Sequence, residues 1–197
     1  METNGEKIDV NNVSFHPVLK DIENIFWFFI LSNKALSHPV IQNILKQERD
    51  DSILAMLKKY NEWVELQVSI NNDVYTSKLN MLDGMIFLGR AMTILTYELL
   101  TFSDYKDYIA KLEEFKFLKL IRNGAAHNNK IDLKYRYGKQ KGQWRIGENE
   151  TIKWRDKEIS RKLHDTIIFN DFIYFGYIFL LAKDLSDKLF AEDSVKK

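Results

Sequence analysis

Residues 119–129 read Lys-Leu-Ile-Arg-Asn-Gly-Ala-Ala-His-Asn-Asn, and the rest of the chain is best understood outward from them. The run leading in, residues 108–121, carries large apolar side chains at Ile109, Leu112, Phe115, Leu118 and Ile121. That three-residue spacing draws one stripe along a helix, so one amphipathic helix is predicted to deliver the stretch. Asn123 and His127 lie four apart and stack one turn above the other if the helix continues. Arg122 and His127 lie five apart, about 140° around an ideal helix, in neighbouring directions. Gly124, Ala125 and Ala126 between them predict ground open to a bulky group. A guanidinium that stays charged, beside an imidazole that titrates near neutrality, suits phosphate chemistry.

The chain has 197 residues, 45% hydrophobic and 13% aromatic, which predicts a single packed domain over 1–197 and argues against disorder. Two Pro and eight Gly favour helices over a turn-rich sandwich. Cysteine is absent, which excludes a disulfide frame, a thiolate metal site and a cysteine nucleophile. That absence suits a reducing cytoplasm, the expected compartment. Residues 1–12 are polar and contain no apolar core, so no secretory signal is read there. The apolar runs 25–31 and 166–182 read as buried helices, since the first is short and the second holds Asn170, Asp171 and Gly176. No membrane association is expected.

Along the chain, His16-Pro17 opens a first helix running to about Leu36, with 25–31 apolar on most sides and therefore central. Ser37-His38-Pro39 ends it. A second helical region is predicted over 40–46 and 51–70, with Ile53, Leu57, Tyr60 and Val64 on one face, before a turn at 71–73. A third helix is predicted over 76–101. Gly84 and Gly89 inside it imply the close approach of a neighbour. Ser103 is the candidate N-cap of the next helix. Beyond Asn129, residues 143–155 alternate around Gly147-Glu148-Asn149-Glu150 as a β-hairpin does, and a final helix is predicted over 161–190. The fold class is therefore all-α: an up-and-down bundle of four to five helices with a small β-hairpin insertion, about 131–155, after the motif helix. Asp83, Arg90 and Asp171 read as buried polar pairs or as groups facing a groove, with a supporting role around Arg122 as the lesser alternative, and the aromatic runs 26–29 and 169–179 as core.

Net charge is only +1, yet residues 128–162 hold eleven Lys/Arg against five Asp/Glu, which leaves the remainder acidic. The densest part carries Lys130, Lys134, Arg136, Lys139, Lys141 and Arg145 against Asp132 alone, with Tyr135, Tyr137 and Trp144 interleaved. Cations neutralise phosphates and aromatic faces stack on unpaired bases, so these residues are the candidate RNA-binding set. The plainer alternative is a solvated insert whose aromatics pack on the bundle. His16, His38 and His164 show no ligand spacing, so neither a metal site nor a cofactor is expected. No Gly-rich phosphate loop or GxSxG elbow occurs.

Arg122-Asn123-x-x-x-His127 resembles the signature of the HEPN superfamily, in which Arg and a polar residue are followed after a short gap by His. The resemblance covers about ten residues directly, together with the helical character of the chain; the hairpin is not part of the minimal family pattern. Members carrying the signature are typically metal-independent ribonucleases of toxin–antitoxin, abortive-infection and RNA-guided CRISPR systems. The resemblance implies that His127 moves a proton to or from the ribose 2′-oxygen or the 5′-oxygen. It further implies that Arg122 holds the scissile phosphate, and that Asn123 orients His127 or contacts the phosphate. It also implies RNA as substrate, a homodimer that brings two motifs to one cleft, and an antitoxin or other regulatory partner. Two other readings stand beside it: a catalytically silent RNA-binding, nucleotide-binding or dimerisation module, and a helical interaction protein whose Arg-to-His spacing is accidental.

Overall fold

The computed structural model describes residues 13–40, 43, 51–59, 62–70, 81–136 and 138–196. Among these the protein is mainly helical. The helices are α1 (Lys20–Leu36), α2 (Met81–Thr101), α3 (Lys106–Ile109), α4 (Glu113–Ala126) and α5 (Phe175–Val195). Two small antiparallel sheets accompany them, β1 (Asp51–Lys59) with β2 (Glu62–Ile70), and β3 (Ile152–Trp154) with β4 (Lys157–Ile159). The chain divides into two compact units, one of residues 26–85 and one of residues 1–25 with 86–197.

In the unit of residues 26–85, β1 pairs with β2 from Asp51↔Ile70 to Lys59↔Glu62. This overturns the helix expected over 51–70. Val64, Leu66, Val68 and Ile70 alternate with Glu65, Gln67 and Ser69, a period of two that belongs to a strand. The register sets Val64, Leu66 and Val68 opposite Leu57, Ala55 and Ile53, so apolar pairs recur at every second position. The helical reading rested on the three- and four-residue steps of Ile53, Leu57, Tyr60 and Val64, and its four-residue steps are also met by alternate positions of a strand. Most of the helix expected over 40–46, the turn at 71–73 and the start of the third helix before Met81 lie outside the described residues. Phe28 is 75% and Leu31 61% exposed, so the first helix does not bury its aromatic run on all sides as expected.

The other unit is built on α4. Phe117, Leu118 and Ile121 have no exposed surface, and Leu181, Leu185 and Leu189 of α5 are buried as completely. Each such side chain contributes roughly 1.5–3 kcal/mol on burial. Trp154 of β3 packs on Phe117, ring centroids 5.5 Å apart, which fixes the β3–β4 hairpin to α4. The stripe expected over 108–121 is buried at Ile109, Phe115, Leu118 and Ile121, but two helices carry it. Leu112 turns extended (φ −77°, ψ 138°) as the N-cap residue of α4, so α3 ends at Ile109 and the motif helix starts afresh at Glu113. The stripe is therefore consumed inside the chain.

The hairpin also lies elsewhere than expected. β3 and β4 pair Ile152↔Ile159 and Trp154↔Lys157, so the reversal falls at Arg155-Asp156, not at 147–150. Arg155 takes the left-handed φ of 50° that this tight turn requires. Residues 133–145 form a second, irregular ladder in which the Tyr135 N–H donates to Gln143 and the Arg145 N–H to Leu133. The final helix begins at Phe175 rather than 161, because Asp165 (φ 68°) and Asn170 (φ 97°) sit in backbone conformations that end a right-handed helix. Among the described residues no helix is long and apolar enough to cross a membrane.

Candidate functional site

The motif stretch is shaped by how α4 ends. The Gly124 carbonyl accepts from both the His127 and the Asn129 N–H, and Asn129 takes φ 61°. Asparagine tolerates that left-handed geometry better than most residues and closes a helix as glycine does. The Asn129 side chain then pairs with the Phe169 backbone, accepting its N–H at 3.1 Å and donating to its carbonyl at 3.3 Å. The helix therefore stops at Ala126, and His127 (φ −106°, ψ −86°) lies beyond it. Asn123 and His127 do not stack on one continuing helix.

The small residues between them are not open ground either. Gly124 and Ala125 are buried, and a Cβ on Gly124 would overlap the Lys130 carbonyl and the Ile168 side chain. What fills the space expected for a ligand is the chain's own return after the helix.

Arg122 faces α2. Its guanidinium lies 5.0 Å from the Tyr97 ring centroid, and that ring stacks on Phe115 at 5.4 Å. Its Nη2 donates to Glu98 Oε1 at 2.5 Å, with the Arg122 side chain 29% exposed. Among the described residues nothing accepts its buried Nε–H. Arg90, one helical stretch earlier on α2, donates from Nε to the Ala125 carbonyl at 2.7 Å and from Nη2 to the His127 carbonyl at 3.2 Å. It thus satisfies carbonyls that the end of α4 leaves free. His127 itself is exposed. α2 therefore supplies a clamp (Arg90), a counter-charge (Glu98) and a platform (Tyr97) to the motif.

Sequence reasoning missed Glu98 and Tyr97, and gave Arg90 a supporting role around Arg122 only as the lesser alternative. The available signal was a set of charges spaced along an otherwise apolar helix, which must meet partners on whatever packs there. Asp83 and Asp171, read as buried polar groups, are exposed.

Asn123 points the site in another direction. With Lys116, Lys119, Tyr135, Arg145 and Glu150 it lines a groove of about 170 Å³ between α4 and residues 135–152. The candidate RNA-binding residues separate into two groups around it. Lys139 and Lys141 are exposed in the turn at 138–142. The others are engaged within the protein. Lys134 Nζ sits 4.6 Å over Trp144, Arg145 lies 4.3 Å over Tyr135, and Arg136 Nε donates to the buried Asp132 at 2.5 Å. Lys130 is half-buried and bridges to Ile167. Tyr137 lies outside the described residues. Arg161 lies 4.8 Å from Trp144, so faces expected to meet bases meet the chain's own cations.

Among the described residues no group of three or more His, Asp or Glu side chains is placed to hold a metal ion. His16 caps the first turn, accepting the Val18 N–H on Nδ1, and His38 does the same for Val40. Chemically, the end of α4 offers an exposed imidazole, a partly exposed guanidinium one turn back, and a second guanidinium fixing the turn between helix and loop. Family models, curated proteins and solved structures were each compared with the chain, and none matches.

Proposed function

We propose that this chain is a metal-independent endoribonuclease of the HEPN type acting on single-stranded RNA. The observation that carries the reading is the exposed His127 on a turn held by Arg90, one turn beyond Arg122 and directly before the basic segment 130–145. In this reaction the ribose 2′-oxygen attacks phosphorus and the bond to the 5′-oxygen breaks. The 2′-hydroxyl loses its proton, the 5′-oxygen gains one, and the products are a 2′,3′-cyclic phosphate and a 5′-hydroxyl. His127 serves as base or acid. Arg122 stabilises charge on the non-bridging oxygens through guanidinium donors not committed to Glu98. One imidazole cannot easily serve both sides of the phosphorus, so a second copy of the chain completes the site. Its contact surface lies away from the α4 stripe, which the chain already buries. The helices belong to an up-and-down bundle on this reading, and the setting is a cytoplasmic toxin or antiphage effector held in check by a partner.

The test is incubation of the purified full chain with single-stranded RNA in EDTA. Cleavage to cyclic-phosphate ends, lost in His127→Ala, is expected. His127→Ala is the cleaner variant because that side chain is exposed, whereas Arg122→Ala also removes a contact with Tyr97 and Glu98. Cleavage that persists unchanged in His127→Ala overturns the assignment.

A second reading, RNA binding without cleavage, draws on the Arg122–Glu98 pair. A guanidinium already neutralised by a carboxylate at 2.5 Å is less available to a transition-state phosphate. It predicts binding that weakens steeply with salt and leaves the RNA intact.

A further inference from the structure

The groove behind Asn123 does not belong to the Arg122 side of α4, and its lining is unusual. Lys116, Lys119 and Arg145 contribute three cations against the single carboxylate of Glu150. Lys116 is partly spent on Glu113, 2.6 Å away, and the Glu150 carboxylate accepts the Gly147 N–H at 2.7 Å. Lys119 is exposed, with no acidic partner among the described residues. The Arg145 guanidinium lies 4.3 Å over the Tyr135 ring, and among the described residues nothing accepts its buried Nε–H. A buried charged donor left without an acceptor calls for a further partner. The Asn123 side-chain amide lines the same space and brings a neutral donor. The groove, about 170 Å³ and open to solvent, has room for a tetrahedral oxyanion with the rest of its carrier extending outward.

We infer that this groove is a phosphate-binding subsite, in which Lys119, Arg145 and Asn123 hold a phosphate group. The proposal deepens the RNA reading, resting on it only for the source of that phosphate, an RNA backbone or a free phosphorylated small molecule. Asn123 becomes a positioning residue for a phosphate about 100° around α4 from Arg122. A backbone held there enters the Arg122–His127 end of the helix from a fixed direction.

The test uses isotopically labelled full-length chain and follows the Asn123 side-chain amide and Arg145 Nε–H resonances. Inorganic phosphate, adenosine 5′-monophosphate and a short oligouridylate are titrated at constant ionic strength, with acetate as the control anion. All three phosphates are expected to shift both resonances, and Lys119→Gln, at an exposed position, to weaken each by about tenfold. Tighter binding of the oligouridylate than of the monophosphate identifies RNA as the source, and equal affinity identifies a free phosphomonoester. Resonances that stay fixed, acetate as effective as phosphate, or unchanged affinity in Lys119→Gln overturns the subsite. A groove that titrates while the wild-type chain leaves RNA intact supports the subsite and removes only the nuclease. Cleavage with a silent groove does the reverse.

Discussion

Arg90 donates from Nη2 to the His127 carbonyl at 3.2 Å and from Nε to the Ala125 carbonyl at 2.7 Å, so a side chain of α2 fixes the backbone from which the candidate imidazole projects. Hydrogen bonds from a charged donor contribute about 1.5–3 kcal/mol each, less where exposed as at His127, and losing the donor leaves the part-buried Ala125 carbonyl unpaired. Arg90→Ala is therefore expected to destabilise the chain by about 2 kcal/mol, read from the urea midpoint. Amide exchange at His127 and Asn129 should accelerate more than exchange in the middle of α5. Uniform acceleration would show that Arg90 supports the whole unit and not this turn.

On the proposed reading, Glu98 competes with RNA for Arg122. Glu98→Gln keeps the side-chain shape, removes the charge, and frees a guanidinium that is 29% exposed. Affinity for single-stranded RNA should rise, and the slope of log affinity against log salt should steepen by about 0.7 for one more phosphate contact on a single strand. An unchanged slope, measured by fluorescence anisotropy across a salt series, would place Arg122 outside the RNA path.

Two glycines of similar helical context should respond oppositely to alanine. At Gly124 a Cβ overlaps the Lys130 carbonyl, which is backbone and cannot swing away, so Gly124→Ala should cost about 3 kcal/mol. At Gly84 a Cβ meets nothing within 4 Å among the described residues, and Gly84→Ala should stabilise by about 0.5–1 kcal/mol through helix propensity. Thermal melts of both variants check the pair.

Asp184 ties the β3–β4 hairpin to α5. Arg155 donates to it through Nε and Nη2 at 2.8 Å each, and the Trp154 Nε1–H joins at 2.8 Å. Burial works to raise this carboxyl, but the hydrogen bonds from Arg155 and Trp154 outweigh it and hold it below the ordinary value of 3.8. A depressed folded value contributes stability that is fully present above the unfolded value and lost as pH falls through the folded one. Stability should thus decline below about pH 4, and in Asp184→Asn that part of the decline should disappear. At neutral pH the variant should lose about 1–2 kcal/mol, because an amide accepts weaker hydrogen bonds from Arg155 and Trp154 than the carboxylate does. Chemical denaturation of both chains from pH 3 to pH 7 separates the two effects.

Some of this architecture was legible in order. The Pro17 start, as a 3-10 turn (Pro17–Leu19) leading into α1, the buried faces of 109–121 and the close neighbour at Gly89, where Phe169 leaves no room for a Cβ, followed from spacing and residue type. A Cβ on Gly84, read the same way, instead meets nothing within 4 Å among the described residues. The strand pair over 51–70 was legible too, in the alternation of Val64, Leu66, Val68 and Ile70, but a four-residue spacing read over a longer window hid it. The turn at Arg155-Asp156 carried no glycine to announce it. The late start of α5 depended on Asp165 and Asn170 taking positive φ, which neither residue requires of itself.

By itself, the sequence determined the helical bulk of the chain, the burial of the α4 stripe, and the nearness of Arg122, Asn123 and His127 along the backbone. Periodicity and residue size act locally, and they are written in the order of the residues. Only the tertiary structure decided that α4 stops at Ala126, that Arg122 turns to Glu98 while Asn123 turns to a groove with Arg145, and that Gly124 is packed against the chain's own return. Those outcomes depend on which distant carbonyl, carboxylate or ring arrives opposite each side chain, and a linear pattern does not encode the partner's position.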